Sequence, residues 1–308
     1  MKAKAMFLAE GITRMPDMSA DERVRVYRRS LQMEGEFEQM EVDSYVVVTQ
    51  CFVAVLDTLL CPEDMQVVMQ DVQGMLPGRQ LLVVNSHADW DHCWGNGYFS
   101  GTRAVPVIAQ DYGLTRQYSE EALTELRVYQ QRYPLFRNVV LVAPTITFAQ
   151  RLTLHGGDLS IELFAAPGHQ RDHIAAWMPE LRLLLAFDAV EMPVPILENA
   201  ESVPLMQQTL ERFLALHPQR VLCSHGKTTD IEQVERNLEY LREIERRCQR
   251  FLAAYHPSAA ELELPAALIG YSFEEVIAQL AEPVDHTFYS WAHDNNVRCV
   301  LQWLMNRS

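Results

Sequence analysis

A short apolar run, Leu81-Leu-Val-Val84, reads as a buried strand and delivers metal-ligand side chains at His87, Asp89, Asp91 and His92. A strand turns alternate residues to one side, so His87, Asp89 and Asp91 can face one way where the extended conformation continues. His92 follows as the chain turns, and Gly95 and Asn96 favour such a turn. Imidazole and carboxylate at this density suit zinc, iron or manganese. A polar loop with two incidental histidines is the simpler reading of this stretch alone. It loses ground because more ligand-type residues follow, in order, at the ends of later apolar runs.

Ala166-Pro-Gly-His169 comes after a β-run ending near Phe164, and Asp188 comes after Leu183-Leu-Leu-Ala-Phe187. His225 follows Val221-Leu-Cys-Ser224, with Gly226 behind it. Loops at strand ends, held by a rigid sheet, are where catalytic ligands usually sit.

Around these pieces the chain mixes β-runs with helices and ends all-helical. Ser19-Ala-Asp-Glu22 reads as a capping box opening a helix through Met33. Ser44 to Thr49 and Cys51 to Leu56 read as an antiparallel strand pair, and Pro62 opens a helix that Pro77-Gly78 ends. Ala104 to Ala109 and Val139 to Val142 read as strands, with helix over 110–133 and Ser119 as an N-cap. Gly156-Gly-Asp158 reads as a hairpin turn. Helices are expected over 201–216, 271–281 and 286–305. The longest begins at a second capping box, Thr229 with Glu232, and carries Val234, Leu238, Leu241 and Ile244 on one face.

The chain has 308 residues, enough for one large domain or two small ones, and a net charge of −15. Its Lys and Arg form no long basic run, which argues against a nucleic-acid or anionic-membrane partner. The first ten residues lack the apolar core of a signal peptide, and no stretch approaches the ~20 apolar residues of a membrane span. A cytoplasmic protein is expected. Its cysteines, at 51, 61, 93, 223, 248 and 299, lie far apart without a CxxC pair and read as free thiols.

In their order, their strand-end placement and the Pro-Gly-His segment, the ligand pieces resemble the metallo-β-lactamase superfamily, over roughly residues 44 to 227. The resemblance implies an α/β fold, an αββα sandwich of two mixed sheets flanked by helices. Residues 1–228 would form that domain, with 1–40 a partly helical extension, and 229–308 a helical extension packed on it. It also implies two divalent metal ions. His87, Asp89 and His169 would hold the first, Asp91, His92 and His225 the second, and Asp188 would bridge them. Asp89 stands where most hydrolases of the family have His. A carboxylate there adds a negative charge and a hard oxygen, which moves a zinc site toward iron or manganese.

The implied activity is that of a metal-dependent hydrolase. A hydroxide bridging the two metals would attack an ester, lactone, thioester, amide or phosphoester of a small molecule, with Asp91 orienting it and moving its proton. The alternative is a di-iron protein that binds or reacts with oxygen or NO, related to flavodiiron proteins, which carry an acid where Asp89 stands. Residues 230–308 are too short and too helical for the flavodoxin domain of that branch.

His173, Lys227 and Trp90 are candidate substrate-binding or outer-sphere residues: His173 as a donor to a ligand carboxylate, Lys227 as a point charge, Trp90 as a pocket wall. Each also has a plain structural role open to it, as turn, solvated surface and packing residue. Cys93 and Cys223 read as buried bystanders beside a ligand set already complete. The segment 285–297, rich in aromatics and His, either lids the site or docks through Val297, Val300, Leu301 and Leu304. The apolar C-terminal helices also offer a homodimer surface.

Overall fold

Strand register decides where the ligand loop emerges. Strands β1 (Met6–Ala9), β2 (Ile12–Arg14), β3 (Val24–Met33), β4 (Phe37–Val48), β5 (Phe52–Leu56), β6 (Gln80–Val84), β7 (Val107–Gln110) and β8 (Ile146–Phe148) lie side by side in that order. The structure is a computed structural model and describes residues 6–9, 11–33, 37–227, 229–258, 261–263, 265–280 and 283–307. By contact density the chain divides into two units. The first comprises residues 1–31, 40–165 and 172–185, and the second 32–39, 166–171 and 186–308.

In the first unit β4 and β5 pair antiparallel, while β5, β6, β7 and β8 run parallel. Every residue of β5 is buried, as expected of a strand covered on both faces. The β5–β6 register sets Leu56 beside Val84, and the Asp57 N–H donates to the Val84 carbonyl at 2.8 Å. One strand further, the Asn85 N–H donates to Ile108 O at 2.9 Å. The residues after β5, β6 and β7 therefore leave the sheet at one edge, beyond the carboxyl ends of parallel strands, where open α/β sheets usually build their sites.

Helix α1 (Pro62–Val72) buries Met65, Val68, Met69 and Val72, an i, i+3, i+4, i+7 stripe. Pro62 fits its first turn, where no amide hydrogen is needed. The ligand loop leads into the short α2 (Trp90–Cys93). After β7 come α3 (Asp111–Gln117) and α4 (Glu120–Arg132), the latter capped by the Ser119 side chain accepting from Ala122 N–H. A second sheet follows in the same unit: β9 (Arg151–His155), β10 (Ser160–Ala165), β11 (Ile174–Met178) and β12 (Leu183–Leu185), paired antiparallel in succession. The β9–β10 hairpin turns at Gly156-Gly157-Asp158, as the sequence suggests.

The second unit holds α5 (Ser202–Ala215), β13 (Arg220–Leu222), α6 (Glu232–Leu252), α7 (Pro265–Leu268), α8 (Phe273–Ile277) and α9 (His286–Met305). Val234, Leu238, Leu241 and Ile244 of α6 are buried, as are Val297, Val300 and Leu301 of α9; Leu304 is half-buried. A donor chain fastens the two helices. Asn296 donates to the Tyr240 hydroxyl at 3.2 Å, and Tyr240 to His293 Nδ1 at 2.9 Å. His293 Nε2 in turn donates to the Tyr271 carbonyl at 2.8 Å. Burial lowers the pKa of His293, consistent with the neutral tautomer this chain requires. No helix among the described residues is long and apolar enough to cross a membrane.

Three expectations fail locally. The helix over 19–33 is strand β3 from Val24: Val24 and Val26 are buried, and Ser19 Oγ bonds the carbonyls of Asp21 and Val24 and accepts from Asp21 N–H at 3.4 Å, in a turn that leads into the strand rather than into a helix. Val139 to Val142 is not a strand, since Val139 is buried at the end of a short turn and Val140 is exposed. Thr229 does not cap α6. Its carbonyl accepts from Val221 N–H and its hydroxyl from Arg220, so it serves the end of β13, and the helix starts at Glu232.

Candidate metal centre

Two sets of ligand-type side chains form, one within each unit. In the first unit, His87 Nε2 lies 3.1 Å from Asp89 Oδ2 and His92 Nε2 lies 3.4 Å from Asp91 Oδ2. The two imidazole rings stand 4.2 Å apart, and His87 and His92 are fully buried side chains. Ligand atoms of His87 and His92, of His87 and Asp89, and of Asp91 and His92 all come within 4.8 Å of each other.

Asp57 organises this set from the end of β5. Its carboxylate accepts from Ser86 N–H at 2.6 Å, from Ser86 Oγ at 2.7 Å and from His92 Nδ1 at 2.9 Å. Ser86 has spent its hydroxyl hydrogen on Asp57, so the 2.9 Å contact with His87 Nδ1 is donated by the imidazole. Both rings thus carry hydrogen on Nδ1 and turn Nε2 toward a carboxylate oxygen. Two electron-rich atoms at such distances fit together when a cation lies between them. This donor set therefore fits a metal.

Hydrogen bonds pin the loop behind the ligands. Asn96 donates to Asn85 Oδ1 at 2.8 Å, and Thr58 N–H donates to the His92 carbonyl at 2.8 Å. A Cβ on Gly95 would stand 1.8 Å from Thr58 O, so only glycine fits there. Asp89 is held from the other side by an ion pair between its Oδ1 and Arg116 Nη2 of α3. Arg116 also reaches Asp172 Oδ1 at 3.2 Å, and Asp172 Oδ2 accepts from Ala88 N–H at 2.8 Å. Glu125 of α4 is pushed up to about 7 by burial and by the charges of Asp89 and Asp91, with Arg116 opposing.

In the second unit, Asp188 Oδ2 lies 3.5 Å from His169 Nε2 and 3.4 Å from His225 Nε2. His169 Nδ1 donates to the Ile196 carbonyl at 3.2 Å, which again leaves Nε2 as the lone-pair nitrogen. Gly168 has φ +143°, and a Cβ there would sit 2.6 Å from Met206 Cα, so the residue before His169 must be glycine. Glu191 lies one turn of chain beyond Asp188 and is buried. Asn237 and Gln233 of α6 pin its backbone, and its Oε1 accepts from the Tyr289 hydroxyl of α9 at 2.5 Å. Burial raises its pKa, His225 opposes this, and Asp188 adds to it.

A model of the metallo-β-lactamase superfamily matches residues 39–225, more than half of the chain. The chain belongs to this superfamily. No curated protein matches it in sequence. Among solved structures it is similar to a metallo-β-lactamase from Pontibacter korlensis, with 17% identity and a TM-score of 0.59 over 75% of this chain and 98% of that one. It is also similar to one from Erythrobacter litoralis, with 16% identity and a TM-score of 0.56 over 78% and 100%. A third is FIM-1 from Pseudomonas aeruginosa in a mono-zinc form, with 15% identity and a TM-score of 0.56 over 75% and 95%. The metallo-β-lactamase fold, two sheets flanked by helices with a helical C-terminal region, is the one the sequence resemblance implies.

Of the remaining candidates, His173 is buried with its ring 5.2 Å from that of His87. Trp90 packs on Trp94, Tyr129 and Phe136 in an aromatic cluster under the loop. Lys227 is exposed. Cys93 and Cys223 are buried, and burial pushes the Cys93 thiol up, away from the thiolate. Asp57, Arg116, Asp172, Glu125 and Glu191 escape a reading of the sequence, although Asp57 leaves a signal there as an acid at the end of a Val-rich run; Tyr289 lies in the aromatic and His-rich segment 285–297.

Proposed function

We propose that this protein is a dinuclear metal-dependent hydrolase acting on an ester, lactone, thioester, amide or phosphoester bond of a small molecule. The observation that carries it is the common tautomer of His87, His92 and His169, each giving Nδ1 to an acceptor and turning Nε2 toward a carboxylate oxygen. In this reading His87, Asp89 and His169 hold one metal, Asp91, His92 and His225 the other, and Asp188 bridges them. Zinc is the metal proposed, with iron and manganese as its competitors. Metals in such a pair polarise the scissile group and bring the pKa of bound water toward neutrality.

The protein's own side chains do the rest. Asp57, through Ser86 and His92, keeps the imidazoles from rotating. Asp91 orients the attacking water, takes its proton on a carboxylate oxygen and passes it to the leaving group. The aromatic cluster around Trp90 dries the back of the loop. Net charge −15 favours a small substrate over nucleic acid, and the cysteines, none paired in the structure, fit a cytoplasmic protein.

The test is hydrolysis of a panel of lactones, thioesters, esters, amides and phosphoesters by chelated protein, before and after reloading with zinc or manganese. Activity that disappears on chelation, returns with metal and is absent from Asp188→Ala supports the proposal. Hydrolysis indifferent to chelation contradicts it.

A further inference from the structure

We propose that Arg116 is a positioning residue for the metal held by Asp89, and that it makes Asp89 a one-oxygen donor suited to zinc. The inference rests on the dinuclear reading above. Asp89 Oδ1 is taken by Arg116 Nη2, while Oδ2 faces His87 Nε2 at 3.1 Å. A guanidinium on one carboxylate oxygen crowds it and draws down its donor strength, which leaves the other as the stronger donor to a metal. Single-oxygen donation at a fixed angle suits the four-coordinate geometry of zinc, whereas hard, higher-coordinate cations gain from a carboxylate free to chelate with both oxygens. Counting Asp89 alone, without this partner, leads instead to a preference for iron or manganese.

The arrangement is built rather than incidental. Arg116 Nη1 reaches Asp172 Oδ1 at 3.2 Å, and Asp172 Oδ2 holds Ala88 N–H at 2.8 Å, between the two motif positions His87 and Asp89. Asp172 is 1% exposed. One helical turn before Arg116, a Cβ on Gly113 would lie 3.2 Å from Asp172 Oδ2, so glycine lets α3 come this close. Burial works against the charge of Arg116, but Asp89 and Asp172 together raise its pKa, and it stays a cation. A guanidinium fork can hold both carboxylates at fixed angles; a lysine ammonium supplies the charge without the fork.

The experiment is zinc and manganese binding by equilibrium dialysis with elemental analysis, each metal alone and in competition. It compares the full chain with Arg116→Met, Arg116→Lys, Asp89→His and the Asp89→His/Arg116→Met double variant, each checked for folding by circular dichroism. The expected result is that Arg116→Met weakens zinc at one of the two sites by about 10–100-fold and moves the zinc-to-manganese ratio toward manganese. Arg116→Lys should recover only part of this. In the Asp89→His background Arg116→Met should change zinc affinity by less than about twofold, because imidazole needs no such clamp. Unchanged zinc affinity in Arg116→Met overturns the proposal. So does an equal loss in the Asp89→His background, which would assign Arg116 a general structural role. If the unaltered chain itself binds neither metal, the dinuclear reading fails first, and this proposal with it.

Discussion

Asp57 and His92 form the buried pair on which the ligand loop turns: Oδ2 of the one lies 2.9 Å from Nδ1 of the other. Asp57 has φ +63°, a left-handed conformation that Asp and Asn tolerate better than most residues. Asp57→Asn therefore keeps the backbone while removing the charge. Outer partners of ligating imidazoles are typically worth about 10–100-fold in metal affinity, and that is the loss expected in Asp57→Asn by zinc titration. Affinity within about twofold of the parent would mean that Asp57 does not hold the ring.

The loop also depends on the close approach of Gly95 to Thr58. Gly95→Ala would place a Cβ 1.8 Å from a backbone carbonyl and 2.8 Å from Met65 Cγ. We expect it to cost about 3 kcal/mol or more in chemical denaturation. Gly74→Ala is the control, since nothing lies within 4 Å of where its new methyl group would stand, and it should stay within about 1 kcal/mol of the parent. Equal stability of the two variants would contradict the packing described.

How much of this is readable in the amino-acid string follows from how local each feature is. The ligand pieces are legible because each sits at the end of its own apolar run, so strand-end placement needs no partner. β3 misleads because Ser19 and Glu22 have the spacing of a helix start, and only tertiary pairing with β2 shows that Val24 and Val26 belong to a strand. Arg116 and Asp172 cannot be found from the sequence at all. Asp89 meets Arg116 from 27 residues away and Asp172 reaches Ala88 from 84 away, contacts set by sheet register and the approach of α3 rather than by neighbouring residues.

Helix α9 joins the segment after Asp188 through the hydroxyl of Tyr289, which donates to Glu191 at 2.5 Å. Tyr289→Phe leaves that buried carboxylate oxygen without its donor. The expected cost is about 1–3 kcal/mol in urea unfolding. A melting curve superimposable on the parent's would show that Glu191 does not rely on this hydroxyl.

Glu125 gives the metal-free protein a pH signature. In the fold its pKa is about 7, raised from 4.5 by burial and by Asp89 and Asp91. Between those values the unfolded chain releases a proton that the folded chain keeps, so stability falls as pH rises. Because the side chain is partly open to water, the effect expected is about 1 kcal/mol, well short of the full shift. Glu125→Gln should flatten that part of the stability profile in denaturation of the apoprotein between about pH 5 and pH 7. A slope unchanged in Glu125→Gln would assign it to other groups.

The central claim is that the imidazoles and carboxylates of the ligand set hold two metal ions. Elemental analysis of protein reconstituted with zinc and freed of excess tests it most directly. The account predicts about two zinc ions per chain, falling to about one or fewer in Asp188→Ala. A chain that retains no zinc, or an Asp188→Ala variant that retains the full complement, would contradict it.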